Sequence, residues 1–248
     1  MSKRLLQLMR ANARETAAPA IRLDASGDGP ATVYLYDVID SYWGANAAEL
    51  SKALAAVRGR DVALRINSPG GDVFEAVAMA SAIAAHDGTV TAHIDGLAAS
   101  SATRVALACS AVQIADSGMF MVHHAWTWAW GNAAELRTSA DLLDKVDGQI
   151  ANDYTRKTGA SLDQVTAWMD AETWFTAQEA LDAKFVDAIT ATTQAADKTT
   201  TADNSARRWD LSAYANAPKP PQPPQDLTAD LQRQHARNAA RLRLLSTV

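Results

Sequence analysis

VALRINSPGGDVFEAVAMA, residues 62–80, runs from one kind of structure into another within a single short stretch. Val62–Ile66 is apolar and partly β-branched, which reads as a strand. Asn67-Ser68-Pro69-Gly70-Gly71 is a turn, and Asp72–Ala85 is an alanine-rich helix. The same alternation continues outward in both directions. Ala31–Tyr36 (ATVYLY) reads as a strand, and Asn46–Val57 carries Leu50, Leu54 and Val57 at helical spacing. Val90–Ile94 is another strand, Gly96 punctuates, and Ala98–Ala108 reads as a helix. Val112–Ile114 and Met119–Val122 are two further short strands. Strands alternating with helices imply βαβ units, hence an α/β fold with a largely parallel sheet and right-handed crossovers.

Downstream, Asn132–Thr158 keeps Leu136, Leu142, Leu143, Val146 and Ile150 near helical spacing, with only Gly148 to interrupt it. Ser161, with Gln164 after it, and Thr176, with Glu179 after it, have the spacing of helix N-caps. Past Thr190 the composition changes to Thr, Ala, Asp and Ser, and Ala217–Gln225 (APKPPQPPQ) holds five of the eight prolines. The expected organisation is a loosely held arm over 1–30, one catalytic-sized domain over 31–190, an extended linker over 191–228 and a short basic helix over 229–248.

A hydrophobic share of 48% suits an ordinary soluble domain, and a net charge of −5 argues against nucleic acid as partner. The single cysteine, Cys109, excludes an intrachain disulfide and reads as a small core residue. No long apolar run suggests a membrane span, and the first residues lack a signal-peptide pattern, so a cytoplasmic protein is expected. No GxxxxGK[ST] motif is present, so any ATP dependence would have to come from a partner.

Three segments bear on chemistry. Gly70 and Gly71, between a strand and a helix, let backbone N–H groups approach an anion, although such loops also serve as plain tight turns. Gly96-Leu97-Ala98-Ala99-Ser100-Ser101 sets a serine among small residues at a helix start, where serine is ordinarily a cap. Met119–His124 ends a strand in two histidines. Adjacent strand residues face opposite ways, which disfavours a metal pair, and no cofactor is implied. A serine hydroxyl needs a base within hydrogen-bond reach, and His123 is one way to supply it. Trp126, Trp128 and Trp130 alternate, so on a strand they would share a face, for core packing or for a subunit or substrate contact.

Together, NSPGG at 67–71, GLAAS at 96–100 and MVHH at 121–124 resemble the proteolytic subunit of Clp protease, over roughly residues 31–190. The resemblance implies a ClpP/crotonase-like fold and serine endopeptidase activity. Ser100 would be the nucleophile and His123 the base, with the N–H groups of Gly70 and Ser101 as oxyanion hole. Glu172 aligns with the family's aspartate as the third triad member, and Asp170 is the rival. The resemblance also implies a ring-shaped homo-oligomer acting on protein substrates. YLYDVI (34–39), INSPGGDVFEA (66–76) and DAETWFTA (170–177) are similar to the Clp-like head-maturation (prohead) proteases of tailed phages. That similarity implies a capsid or scaffold precursor as substrate, in host cytoplasm or an assembling prohead, with a tail that targets the shell or is self-cleaved. The alternatives are a catalytically silent scaffold or shell component and a crotonase-like acyl-CoA enzyme.

Overall fold

The structure is a computed structural model describing residues 4–13, 19–191 and 209–218. Helix α1 (Arg4–Asn12) is followed by strands β1 (Ile21–Asp24) and β2 (Ala31–Leu35). Then come helix α2 (Ala47–Ala56), strand β3 (Val62–Ser68), helix α3 (Val73–Ala84) and strand β4 (Val90–Ala99). Helix α4 (Ser101–Leu107), strands β5 (Ala111–Ala115) and β6 (Met119–Val122) and helix α5 (Ala133–Thr158) follow. Helix α6 (Leu162–Asp170), strand β7 (Thr173–Thr176), helix α7 (Ala177–Asp182) and strand β8 (Ala188–Thr190) complete the described elements.

One sheet runs β1-β2-β3-β4-β5-β8 and is parallel from β2 onward, with β1 an antiparallel edge. Strands β2, β3, β4 and β5 were expected from their apolar, β-branched character, whereas β1 and β8 were not, and the α/β fold class holds. Strand β4 is the hinge of the topology. Its first half pairs with β5, whereas Leu97–Ala99 pair with β6, so the sheet forks near Gly96. Strand β6 in turn pairs antiparallel with β7. A chain leaving the end of β4 therefore emerges between β3 and β6, at a crevice of the kind where open α/β sheets bind ligands.

Side-chain caps fix the helix starts. Asn46 accepts from the Glu49 N–H, Asp72 from those of Phe74 and Glu75, and Ser161 from that of Gln164. Asn132/Glu135 and Thr176/Glu179 form reciprocal capping boxes that satisfy otherwise orphan donors. Phe185 is fully buried beside Phe120, Tyr154, Trp168 and Phe175, with ring centroids 4.8–5.6 Å away. This cluster ties α5 and α6 to β6 and β7. Cys109 donates to the Val105 carbonyl, and burial pushes its thiol up to about 12, which leaves it unreactive near neutrality. No helix among the described residues is long and apolar enough to cross a membrane.

Four expectations need correction. The stretch 98–108 is not all helix: β4 continues through Ala99, because small apolar residues fit a strand flanked on both sides as well as they fit a helix. The tryptophans do not share a strand. Residues 123–130 are irregular, Trp126 packs inward on His123, and Trp128 and Trp130 are exposed and meet each other edge to face. The arm over 1–30 contains α1, with Leu8 and Met9 buried, and β1, paired with β2. Within the linker over 191–228, Trp209–Ala217 packs against the domain, burying Ala213 and Tyr214. The basic helix over 229–248 lies outside the described residues.

Phe185→Ala should cost about 3–5 kcal/mol by opening a cavity in the aromatic cluster. Tyr42→Ala, at a ring 84% exposed, should change stability by no more than about 0.5 kcal/mol. Urea unfolding of the two variants measures both.

Candidate active site

Ser100 follows the last residue of β4 and precedes α4. Its backbone, φ 55 and ψ −126, lies in a region that side chains rarely adopt, and its hydroxyl makes no capping bond. The helix-cap alternative therefore fails, and the strand–turn–helix geometry instead thrusts the side chain into the crevice. Ser100 N–H donates to the Met121 carbonyl at 2.9 Å, and Thr103 Oγ1 donates to the Ser100 carbonyl at 2.6 Å. Tyr154, on α5, meets the same Thr103 hydroxyl at 2.7 Å, so the long helix braces the turn.

Across the fork, His123 follows β6 and places Nε2 2.7 Å from Ser100 Oγ. The two residues named from sequence as nucleophile and base are thus brought into direct contact. Gly70 is equally close. At φ +85, a Cβ there would stand 2.5 Å from the Ala99 carbonyl and 2.8 Å from Ser100 Cβ, so only glycine fits. Ser101 opens α4, where a helix N–H has no intrahelical acceptor and faces developing negative charge favourably. The Gly70 N–H, however, donates to Ser68 Oγ at 3.2 Å. One of the two expected oxyanion donors is therefore turned inward.

The acid expected from sequence is also redirected. Among the described residues, His123 hydrogen-bonds Ser100 alone, and neither Glu172 nor Asp170 reaches it. Asp170 pairs with His124 Nε2 at 2.8 Å. The Glu172 carboxylate accepts from Trp174 Nε1 at 3.3 Å, Ala215 N–H at 2.9 Å and Asn216 N–H at 2.6 Å. Val122 pairs with Thr173, the residues next to His123 and Glu172 in the chain. Two terminal segments, which sequence reasoning assigned to an arm and a linker, complete the site's surroundings. Leu5 and Leu8 of α1 and Tyr214 line the small cavity over Ser100 and His123.

Burial drives the His123 imidazole down to about 3, with positive charge from His124 and Arg4 adding to the effect. Burial would also lower His124, but hydrogen bonds to Asp170 and Asp147 outweigh it and hold that ring above its ordinary value. The adjacent histidines are therefore tuned in opposite directions by their separate surroundings: one is buried against the serine, the other bridges Asp147 on α5 and Asp170 on α6.

Residues 32–193 match the family described as Clp protease. The chain belongs to that family, a family of serine peptidases. A relative, the ATP-dependent Clp protease proteolytic subunit 1 of Leifsonia xyli subsp. xyli, is 33% identical over 145 residues, covering 58% of this chain and 74% of that protein. Subunit 3 of Rhodococcus jostii is 30% identical over 164 residues, covering 64% of this chain and 80% of its own. A solved structure of a ClpP1 point mutant from Listeria monocytogenes superposes with a TM-score of 0.57 at 24% identity, covering 64% of this chain and 91% of that one. At that identity the likeness speaks for the fold. The Clp-like fold and the peptidase class expected from the three motifs hold.

Because the native state holds His123 neutral and the unfolded chain binds its proton near pH 6.5, stability from this residue is present above 6.5 and lost below it. At pH 5 the loss should reach about 2 kcal/mol, at 1.36 kcal/mol per pH unit, and His123→Gln should flatten it. His124 has the opposite sign: its contribution is complete below pH 6.5 and fades as pH rises through its elevated value. Chemical denaturation of the wild type and both His→Gln variants from pH 5 to 9 separates the two windows.

Proposed function

We propose that this chain is a serine endopeptidase in which Ser100 is the nucleophile, His123 the general base and Glu172 the triad acid. The reading rests on one contact above all, Nε2 to Oγ at 2.7 Å, made by a serine whose strained backbone has no other evident use. A substrate peptide enters the fork as an extended strand. Ser100 Oγ attacks the scissile carbonyl carbon while its proton passes to His123 Nε2, and the carbonyl oxygen becomes an oxyanion. Ser101 N–H and, once outward, Gly70 N–H stabilise that charge. Collapse breaks the C–N bond, and His123 returns the proton to the leaving amine. Water then attacks the acyl-enzyme, giving its proton to His123; collapse breaks the bond from Ser100 Oγ to the acyl carbon, His123 returns the proton to Oγ, and the carboxylic product leaves. Glu172 orients the imidazole and stabilises its charged form.

The substrate class we assign is a capsid or scaffold precursor, as for the phage head-maturation proteases whose YLYDVI, INSPGGDVFEA and DAETWFTA segments this sequence resembles. Ring-shaped self-assembly belongs to the same reading. Exposed Trp128, Trp130, Leu136 and Leu142, along and before α5, support a surface for another copy.

A fluorophosphonate should label Ser100, and peptide mapping should find no adduct in Ser100→Ala and at least a hundredfold slower labelling in His123→Ala. Prolonged incubation should release part of the tail from the wild type and leave Ser100→Ala at its intact mass. Absence of any Ser100-dependent label from a folded wild type and from variants with the cleft opened would remove the peptidase reading.

A further inference from the structure

Trp209–Ala217 lies across the crevice and makes three kinds of contact with the groups that catalysis needs. Tyr214 fits between His123 and Trp126, with ring centroids 5.3 and 4.9 Å away, and its side chain is buried. Its hydroxyl donates to the Pro69 carbonyl at 2.5 Å, and its side chain lines the same small cavity as Ser100. Ala215 and Asn216 offer their N–H groups to Glu172. Trp209 Nε1 donates to Asn67 Oδ1 at 3.0 Å, at the start of the same NSPGG turn.

We infer that residues 209–217 are an intramolecular inhibitor, a latch that keeps the serine site closed by filling its cleft, reversing the Pro69–Gly70 peptide and engaging Glu172. The inference rests on the peptidase reading of Ser100 and His123. A trans peptide points its C=O and N–H in opposite directions. With Tyr214 holding the Pro69 oxygen on the side of Ser100, the Gly70 N–H must face away, and it does, on Ser68 Oγ at 3.2 Å. An oxyanion would meet a carbonyl lone pair where it needs a donor. The Tyr214 proton is committed to Pro69, so the phenol offers an oxyanion no donor in place of the Gly70 N–H.

The acid is silenced by the same segment. Two of the three donors on the Glu172 carboxylate are the amides of Ala215 and Asn216. Once they leave, the carboxylate is free to turn toward His123, whose neighbour Val122 pairs with Thr173, the residue after Glu172. Helix α1 holds the latch down. Asn12 accepts from the Asp210 N–H at 2.8 Å and donates to the Asp210 carbonyl at 2.9 Å, while Gln7 donates to Ser212 Oγ at 2.9 Å. Leu8, Leu97 and Met121 pack with Ala213 and Tyr214 in an apolar cluster separate from the main core. The enclosure also disfavours the imidazolium that must form during attack, through burial and through the Arg4 charge.

The test is the rate of fluorophosphonate labelling at Ser100 in the full chain, compared among wild type, Tyr214→Phe and Tyr214→Ala. Removing the hydroxyl alone should raise the rate several-fold, and removing the ring at least tenfold, while hydrogen exchange at 209–217 accelerates. A synthetic peptide, WDLSAYANA (residues 209–217), should restore slow labelling to Tyr214→Ala, and the same peptide with alanine for tyrosine should not. Equal Ser100-dependent labelling in all three proteins, with exchange accelerated in Tyr214→Ala, overturns the latch and leaves the peptidase reading intact. No Ser100-dependent label in any of them overturns both.

Discussion

The link between Ala99 and Ser100 is the constraint from which the cleft is built. A chain ending a parallel strand must turn into a helix there, and it does so through a left-handed residue that is not glycine, at a cost of about 1–3 kcal/mol. That conformation persists because its surroundings hold it: the Met121 carbonyl takes its N–H, and Thr103 and, through it, Tyr154 take its carbonyl. Arg104 pairs with Asp153 at 2.7 Å and clamps α4 to α5 one turn further on. The long helix therefore does two jobs, burying its Val146–Tyr154 face and bracing the serine. The fork of β4 does the rest, since it brings the ends of β3 and β6 to either side of the same atom.

Two histidines in sequence and two carboxylates at 170 and 172 present four possible pairings, and the fold resolves them by burial. His124 is half exposed and takes Asp147 and Asp170, a solvent-facing arrangement in which a charged imidazole is welcome. His123 is buried in an apolar enclosure with Ser100 and stays neutral, which is the state a base must start from. Glu172 is buried too, but a carboxylate without donors there would be costly, and the amides of 215 and 216 provide them.

What the sequence made legible is what local rules govern. The βα alternation and the caps at Ser161 and Thr176 follow from residue types at fixed spacing, whereas the roles of Gly70, Ser100 and His123 come from the resemblance to the Clp family. The strand end at Ala98–Ala99 was missed because a small apolar run has no period that separates strand from helix. The tryptophans were misplaced because alternation implies a common face only if the backbone is extended, and residues 123–130 are not a strand. The terminal pieces were misread for a different reason. Trp209, Leu211 and Tyr214 follow neither helical nor strand spacing, and their neighbours in sequence are Arg, Asp, Ser, Ala and Asn. Their burial depends on a surface assembled from residues far away in the chain, Asn12, Asn67, Pro69 and Glu172 among them.

Glutamate at 172, where the resemblance implies an aspartate, acquires a physical meaning in that setting. Glutamate has one more methylene and one more rotatable bond, so from a fixed backbone its carboxylate can sweep a wider arc. At a residue held at φ 46 the backbone itself has little freedom to adjust, and the side chain must supply the reach. A shorter acid placed to meet His123 would leave the amides of Ala215 and Asn216 unpaired when the segment closes. A longer one can serve the segment in the closed state and the imidazole in the open one. On this reading the glutamate is the element that couples the two, because the carboxylate that meets the amides of Ala215 and Asn216 does not reach the His123 ring.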